Sequence, residues 1–224
     1  MVAGMAAAAK TALFDQFALV GKAFSSGRRA ELVDVLAQGE RSVEALAEQI
    51  GQSVANTSQH LQVLARSGLV TSRRNGNRVV YRLAGEQVEA LWETLRAVAA
   101  ENVAGLHQAA DGYLGDRDEL EQVSRDELAR RLGEGVVVWD VRPGAEYEAG
   151  HIPGAVSVPP EEVQRRLDGV PDSVEVVAYC RGPFCVFADE AVRSLAARGR
   201  RAARLEDGFP EWRRAGLPVV VGAE

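Results

Sequence analysis

The sequence predicts a two-domain protein in which a mainly helical domain precedes an α/β domain with a parallel sheet. Three observations lead to this prediction. The first half repeats apolar residues at helical spacing, interrupted by one pair of strand-like segments. In the second half, continuous apolar runs alternate with amphipathic segments, as buried parallel strands alternate with helices. A polar stretch with two glycines, at 111–122, lies between these patterns and is predicted to be a linker, in which Tyr113 and Leu114 could dock.

Composition excludes several classes of protein. The chain has 224 residues, of which 46% are hydrophobic and 26% charged, which suits one large globular domain or two of about 100 residues each. No apolar run approaches the roughly 20 residues of a membrane span, and the start lacks the basic head of a signal peptide. We therefore expect a cytoplasmic protein without a membrane partner. The negative excess of the net charge, −6, lies in the second half, so a nucleic-acid surface is expected in the first.

The first domain, predicted at 8–110, begins with helices. Apolar residues recur at helical spacing in "KTALFDQFALVGKAF", "RRAELVDVLAQG", "SVEALAEQIG" and "SVANTSQHLQVLARSG". Ser42 is suited to an N-cap, and the last three segments end in glycines suited to C-caps: Gly39, Gly51 and Gly68. The segment "LVTSRRNGNRVVYRL" then predicts a hairpin, because β-branched residues flank an Asn-Gly turn. A long helix, "GEQVEALWETLRAVAAENVAGLHQAA", completes the domain.

Two short helices followed by a hairpin predict a winged helix-turn-helix that binds double-stranded DNA. The second helix carries short polar side chains that can reach base edges in the major groove: Asn56, Thr57, Ser58, Gln59 and His60. Its buried side is predicted to hold Leu61, Val63 and Leu64. The hairpin tip carries arginines suited to phosphate or minor-groove contact: Arg73, Arg74 and Arg78. The alternative is a helical domain with a solvated polar face.

The segment "SVEALAEQIGQSVANTSQHLQVLARSGLVTSRRNGNRVVYRL" resembles the DNA-binding core of ArsR-type bacterial repressors. The resemblance implies a homodimer that binds a palindromic operator and usually represses. It also implies dimerisation through the first and last helices, here about 10–24 and 85–107. Their apolar residues fit either an interface or an internal core: Phe14, Phe17, Leu91, Trp92, Leu95 and Val98.

This sequence departs from the metal-sensing members of that family. Many of them hold metal through cysteines in the first helix of the helix-turn-helix, whereas "SVEALAEQI" has none. The last helix offers only Glu101 and His107, too few for a ligand set. We therefore expect no metal site and no cofactor.

The second domain, predicted at 123–224, opens with a helix capped by Ser124 and Glu127. The apolar runs "VVVWDV" and "VEVVAY" predict buried strands, and helix "CVFADEAVRSLAARG", strand "RAARLED" and helix "FPEWRRAG" follow them. A structural hydrogen-bond network is predicted from charged residues at the end of the first strand: Asp140, Arg142, Glu146 and His151.

The loop "YCRGPFCV" holds the two cysteines of the chain. Cys180 follows a strand, where α/β folds bind ligands, and the loop leads into a helix N-terminus. These features predict an anion cradle and a Cys180 thiol whose pKa lies below the roughly 8.5 of a free thiol. The predicted cradle consists of Arg181, Gly182, Pro183, Phe184 and Cys185.

Together with "DVRPGAEYEAGHIPGA" and "LEDGFPEWRRAGLPV", this loop resembles a single rhodanese domain at roughly 120–222. The resemblance implies that Cys180 accepts a sulfane sulfur from a small donor and passes it to a thiophilic acceptor. Asp207 stands where the family often has glycine. Val186 stands where related phosphatases and arsenate reductases have arginine, which argues against their chemistry. Phe184 and Cys185 replace a basic residue common in thiosulfate users, which favours a persulfide or polysulfide donor over thiosulfate.

The role of Cys185 stays open at this point between a buried structural thiol, a resolving thiol and, least favoured, a metal ligand. The function stays open as well. We expect a transcriptional regulator whose Cys180 senses or transfers reactive sulfur. The alternatives are a sulfurtransferase working through a Cys180 persulfide, with an uncoupled DNA-binding domain, or an arsenic- or metal-responsive repressor.

Overall fold

The computed structural model describes residues 2–222, and only the backbone of residues 2–5. The last two residues of the predicted second domain therefore lie outside the described part. The chain divides into two compact units, 1–98 and 99–224. The division falls earlier in the chain than the predicted linker at 111–122.

The first unit is a winged helix-turn-helix, as predicted. Its elements are α1 (Val2–Ala23), α2 (Gly27–Ala37), β1 (Arg41–Ser42), α3 (Val43–Gln49), α4 (Val54–Arg66), β2 (Val70–Asn75), β3 (Arg78–Leu83) and α5 (Glu86–Asn102), whose last residues belong to the second unit. The sheet is antiparallel in the order β1-β3-β2. Ser42 caps α3 by accepting a hydrogen bond from the Ala45 amide at 3.3 Å. At the hairpin tip, Gly76 supplies the positive φ, 59°, that the two-residue turn between Asn75 and Arg78 requires.

The prediction of one long helix that runs to Ala110 is wrong, because the structure has two shorter helices there. After α5 ends at Asn102, α6 (Leu106–Leu114) begins behind Gly105. Glycine inside a helix is about 1 kcal/mol less favourable than alanine, so little helix stability is lost when the helix is interrupted near Gly105. The predicted linker is also partly helical, since its first residues belong to α6.

The second unit is an α/β domain with a five-stranded parallel sheet in the order β4-β8-β7-β5-β6. Its strands are β4 (Gln122–Val123), β5 (Val137–Asp140), β6 (Val156–Ser157), β7 (Glu175–Tyr179) and β8 (Arg201–Leu205). Its remaining helices are α7 (Arg125–Arg131), α8 (Gly144–Ala149), α9 (Val163–Arg166), α10 (Val186–Ala196) and α11 (Phe209–Arg214). These observations confirm the predicted fold class.

Alternation along β7 places Cys180, which follows this strand, on a definite face of the sheet. Successive side chains of a strand point to opposite faces. Val176, Ala178 and Cys180 accordingly join the apolar cluster formed with α10. Val177 and Tyr179 join the cluster on the other face, which contains Trp212 of α11.

Candidate functional site

The two cysteines are joined at the C-terminal end of β7. Cys180 is only 1% exposed, and its Sγ is bonded to that of the half-buried Cys185, which directly precedes α10. Their Cα atoms lie 6.1 Å apart, within the range of ordinary disulfides. Five residues of sequence therefore bring both sulfur atoms to one point.

Backbone contacts fix the shape of this loop. The Cys185 amide donates to the Gly182 carbonyl at 3.1 Å, and the Phe209 amide donates to the Cys180 carbonyl at 3.1 Å. The Cys185 N–H is therefore used inside the loop and does not point to an anion, contrary to the predicted cradle. Proline has no N–H, so Pro183 cannot contribute a donor either.

Arg181 turns its charge to a buried carboxylate beside the loop. Its Nη2 lies 2.6 Å from Oε1 of Glu146, and its Nε lies 3.0 Å from Oε2. Glu146 is 1% exposed, so the pair compensates a desolvated charge. The positive charge expected for an anion in the loop is thus already engaged.

Asp140 and Arg142 form the centre of a buried network with Tyr179. Arg142 Nε donates to Asp140 Oδ1 at 2.9 Å, and the Tyr179 hydroxyl donates to Oδ2 at 2.5 Å. Burial by itself lowers the pKa of Arg142, but the charge and hydrogen bonds of Asp140 raise it overall above its ordinary value. Burial, aided by the Asp140 charge, raises the pKa of Tyr179 well above 10, so Tyr179 stays a neutral donor.

The four residues of the predicted network are all buried, and each has a partner at this end of the sheet, with the Glu146 charge also acting on Arg142. Glu146 belongs with Arg181, and Asp140 belongs with Arg142. His151, which is fully buried, places Nδ1 3.0 Å from the Tyr147 carbonyl and stacks on the Tyr147 ring. Tyr179 was missed because an aromatic residue ending an apolar strand is indistinguishable in sequence from ordinary core.

A second charged cluster behind the loop was also missed. Asp189, in the first turn of α10, is fully buried, and its Oδ2 accepts from Arg117 Nε at 2.5 Å. Arg204 Nε lies 3.0 Å from Oδ1 of the same carboxylate. Both arginines also donate to the Pro183 carbonyl, at 2.8 and 3.4 Å. One signal existed in the sequence: Asp189 precedes Val192 by three residues and so shares its apolar helix face.

The predicted DNA-reading residues of α4 do not all face outward. Asn56 and Gln59 are exposed, and Ser58 and His60 are half-buried. Thr57 is completely buried, so its assignment as a DNA contact is wrong. It lies four and seven residues before Leu61 and Leu64, which places all three on the core face of the helix.

Three arginines of the wing are predicted to contact DNA, and one of them, Arg73, forms an ion pair in the structure. Arg73, Arg74 and Arg78 are all exposed. Arg73 pairs with Glu40, at 3.3 Å between Nε and Oε2. Phosphate contact by Arg73 therefore requires this surface ion pair to open, at a cost of less than about 1 kcal/mol.

Apolar side chains of α1 and α5 remain uncovered in the single chain. Phe14, Phe17 and Val98 are more than half exposed, and Leu91 is 37% exposed. Trp92 instead is half-buried and packs against the core: it stacks on Phe24 and donates from Nε1 to Asp34 at 2.8 Å.

The described residues contain neither a membrane-spanning helix nor a group of side chains that could hold a metal ion. No helix among them has the length and apolar character needed to cross a bilayer. Within the same range, 2–222, no three His, Cys, Asp or Glu side chains converge as a metal site requires.

Two protein-family models match the chain. Residues 24–73 match a helix-turn-helix domain, and residues 124–215 match a rhodanese-like domain. The two matches fall in the two halves distinguished by their sequence pattern and fold.

Relatives cover the whole chain or one half of it. The HTH-type transcriptional regulator Rv0324 of Mycobacterium tuberculosis is 48% identical over 215 residues, covering 96% of this chain and 94% of its own. A sulfurtransferase of Allochromatium vinosum is 32% identical over 104 residues, 45% of this chain and 95% of its own. A solved homodimeric winged helix-turn-helix domain, Mb0332 from Mycobacterium bovis, is 49% identical, with TM-score 0.40, covering 42% of this chain and 86% of its own.

The similarity to Rv0324 extends through the winged helix-turn-helix, the rhodanese-like domain and the segment between them. It exceeds what a shared DNA-binding module alone would produce. The chain therefore belongs to a family of ArsR-type HTH transcriptional regulators that carry a single C-terminal rhodanese domain.

Proposed function

We propose that this regulator binds a palindromic operator as a homodimer and that sulfane sulfur, taken up by Cys180, releases it from DNA. The exposed Asn56 and Gln59 on α4 and the arginines of the wing supply the DNA-facing surface. The uncovered apolar side chains of α1 and α5 support dimerisation, because such a patch is normally buried against a partner. The homodimeric Mb0332 domain supports the same assembly.

The bonded pair of cysteines in a rhodanese-type loop is the observation that carries the sulfur proposal. The Cys180 thiolate attacks a terminal sulfur of a hydropolysulfide, forming a Cys180 persulfide anion and releasing the hydropolysulfide shortened by one sulfur. The Cys185 thiol then attacks the Cys180 sulfur and displaces hydrosulfide, which carries the proton of that thiol. The product is the Cys180–Cys185 disulfide, so both cysteines are oxidised and sulfane sulfur is reduced.

The surroundings of the loop favour a small anionic donor. Cys180 is almost fully buried, which excludes bulky donors from direct attack. The N-terminus of α10 lies directly after Cys185 and favours negative charge by its partial positive charge. The half-exposed Phe184 and the absence of a basic side chain at the end of the loop suit polysulfide better than thiosulfate.

We expect polysulfide to release the native protein from DNA and to leave Cys180→Ser bound. An operator selected from random-sequence duplex DNA serves as the probe, and fluorescence anisotropy measures binding before and after sodium polysulfide. Loss of about tenfold or more in affinity is expected for the native protein. Equal release of both proteins would remove Cys180 from the mechanism.

Cys185→Ser is the matched variant for the second step. It should still gain one sulfur atom at Cys180, visible in the intact mass, but no disulfide should form.

The A. vinosum relative favours a second candidate function, a sulfurtransferase whose DNA-binding domain works independently. In that case Cys180 turns over with a thiol acceptor, and operator affinity is unchanged. Steady-state transfer from polysulfide or thiosulfate to an added dithiol, measured beside the DNA titration, separates the two functions. We expect a single stoichiometric oxidation for a sensor, and continued product release would favour the enzyme.

A further inference from the structure

The predicted linker is docked on the rhodanese-like domain through residues 114–120, here called the docking segment. Leu114 is 3% exposed, whereas its neighbour Tyr113 is 64% exposed. Arg193 of α10 donates from Nη2 to the Leu114 and Asp116 carbonyls, at 2.9 and 2.6 Å. Leu120 packs against the cluster that contains Cys180. The docking segment is therefore held by side-chain, backbone and apolar contacts together.

Arg117 connects the docking segment to the cysteine loop itself. Its Nη1 donates to the Pro183 carbonyl at 2.8 Å, and its Nε donates to Asp189 at 2.5 Å. Pro183 lies between the two cysteines, and Asp189 lies in the first turn of the helix that follows them. A single side chain of the docking segment thus contacts both ends of the Cys185 region.

Arg204 shares the Asp189 carboxylate with Arg117. Arg204 belongs to β8 and also pairs with Asp189, at 3.0 Å, so two guanidinium groups share one carboxylate. Burial lowers the pKa of Arg204, and the charge of Arg117 adds to that effect, although Asp189 opposes it. If Arg117 leaves, Asp189 keeps a countercharge, and the heavy penalty of an unpaired buried carboxylate is avoided.

The position of the Pro183 carbonyl depends on the state of the cysteines. Sulfur atoms that are no longer bonded must separate to non-bonded contact distance, which moves Cys185. The Cys185 amide holds the Gly182 carbonyl at 3.1 Å, so the turn containing Pro183 moves with it. A hydrogen bond weakens steeply with misalignment, so displacement of the turn weakens the bond from Arg117 to the Pro183 carbonyl and leaves Arg117 with Asp189.

We infer that the docking segment is a sensor of the Cys180–Cys185 pair: it is docked when the pair is a disulfide and released when the pair is reduced. The inference rests on the proposed function in taking this pair as the reactive one. Reduction by a low-molecular-weight dithiol transfers two electrons and two protons to the cysteines and converts the dithiol to its own disulfide. The docking segment begins at the last residue of α6, which follows α5 in the chain.

Hydrogen–deuterium exchange of the full chain, with the disulfide intact and after reduction by dithiothreitol, tests this inference. The reporting amides are hydrogen-bonded within the docking segment or its start: Gly115 to the Asp111 carbonyl, Asp118 to Asp116 Oδ1 and Leu120 to the Arg117 carbonyl. We expect exchange of a peptide spanning 112–121 to accelerate about tenfold on reduction. Unchanged exchange of this peptide after complete reduction, verified by intact mass, overturns the inference.

Two variants separate sensing from a purely structural role. In Arg117→Gln, the peptide 112–121 should exchange rapidly with the disulfide intact and after reduction. In Arg117→Lys, which keeps the charge, its exchange rate should lie between those of Arg117→Gln and the native protein. Arg165→Gln, a matched change at a 73% exposed arginine, should follow the native protein. A redox response of the docking segment that persists in Arg117→Gln would contradict the role of Arg117.

The outcome does not depend on sulfur uptake. If Cys180 gains no sulfur from polysulfide but reduction releases the docking segment, the proposed function fails and this inference stands. If Cys180 takes up sulfur but the docking segment stays protected after reduction, the proposed function stands and this inference fails.

Discussion

At the scale of single residues, Gly208 shows how closely the rest of the domain is fitted to the cysteine loop. A Cβ at this position would lie 2.3 Å from the carbonyl carbon of Arg181 and from the amide of Gly182. Its φ of −120° is open to any residue, so space and not backbone conformation demands glycine here. The next amide, that of Phe209, donates to Cys180. The turn before α11 therefore fixes the backbone position of the cysteine loop.

We expect Gly208→Ala to displace the loop and to destabilise the domain by about 1–3 kcal/mol, because backbone atoms cannot yield to a methyl group as a flexible side chain can. Chemical denaturation measures the stability, and the rate of Cys180 persulfide formation by mass measures the loop. Gly144→Ala is the control, since a Cβ there meets no atom within 4 Å. If both variants resemble the native protein in stability and in persulfide formation, the contact at Gly208 does not fix the position of the loop.

At the scale of elements, α4 divides its residues between reading and packing. Thr57 shares the core face with Leu61 and Leu64, while Gln59 points away from it. The Thr57 hydroxyl is buried and has no hydrogen-bond partner among the described residues. A polar residue type near a helix start is therefore insufficient evidence for a DNA contact, and the helical period decides.

We expect Thr57→Val to keep operator affinity and to leave stability unchanged or raise it by up to about 1 kcal/mol, because an unpaired buried hydroxyl is replaced by a methyl group of similar shape. Gln59→Ala should weaken operator binding by about 1–3 kcal/mol if it contacts a base edge. Anisotropy titration and chemical denaturation of both variants provide the comparison. Equal losses of operator affinity in Thr57→Val and Gln59→Ala would indicate that Thr57 contacts DNA.

At the scale of the whole molecule, the periodicity of apolar residues predicts the fold but does not predict the ion pairs around the cysteine loop. Helical spacing, the Asn-Gly turn and apolar runs predicted both domains, because each pattern reports one local period. The two-residue strands β4 and β6 were too short to leave such a pattern. Arg117 and Asp189 are 72 residues apart and meet only through the tertiary fold. Their partnership, like that of Arg181 with Glu146, has no local signature.

The placement of both cysteines in one short loop has a kinetic consequence. Closure of the disulfide joins groups five residues apart in the same chain, so it is a first-order event. Short loops also lose little conformational entropy on closing. In the proposed function, the rate at which a molecule closes its disulfide after taking up sulfur therefore does not depend on how many copies of the regulator are present. A few molecules at one promoter would respond as promptly as a concentrated solution.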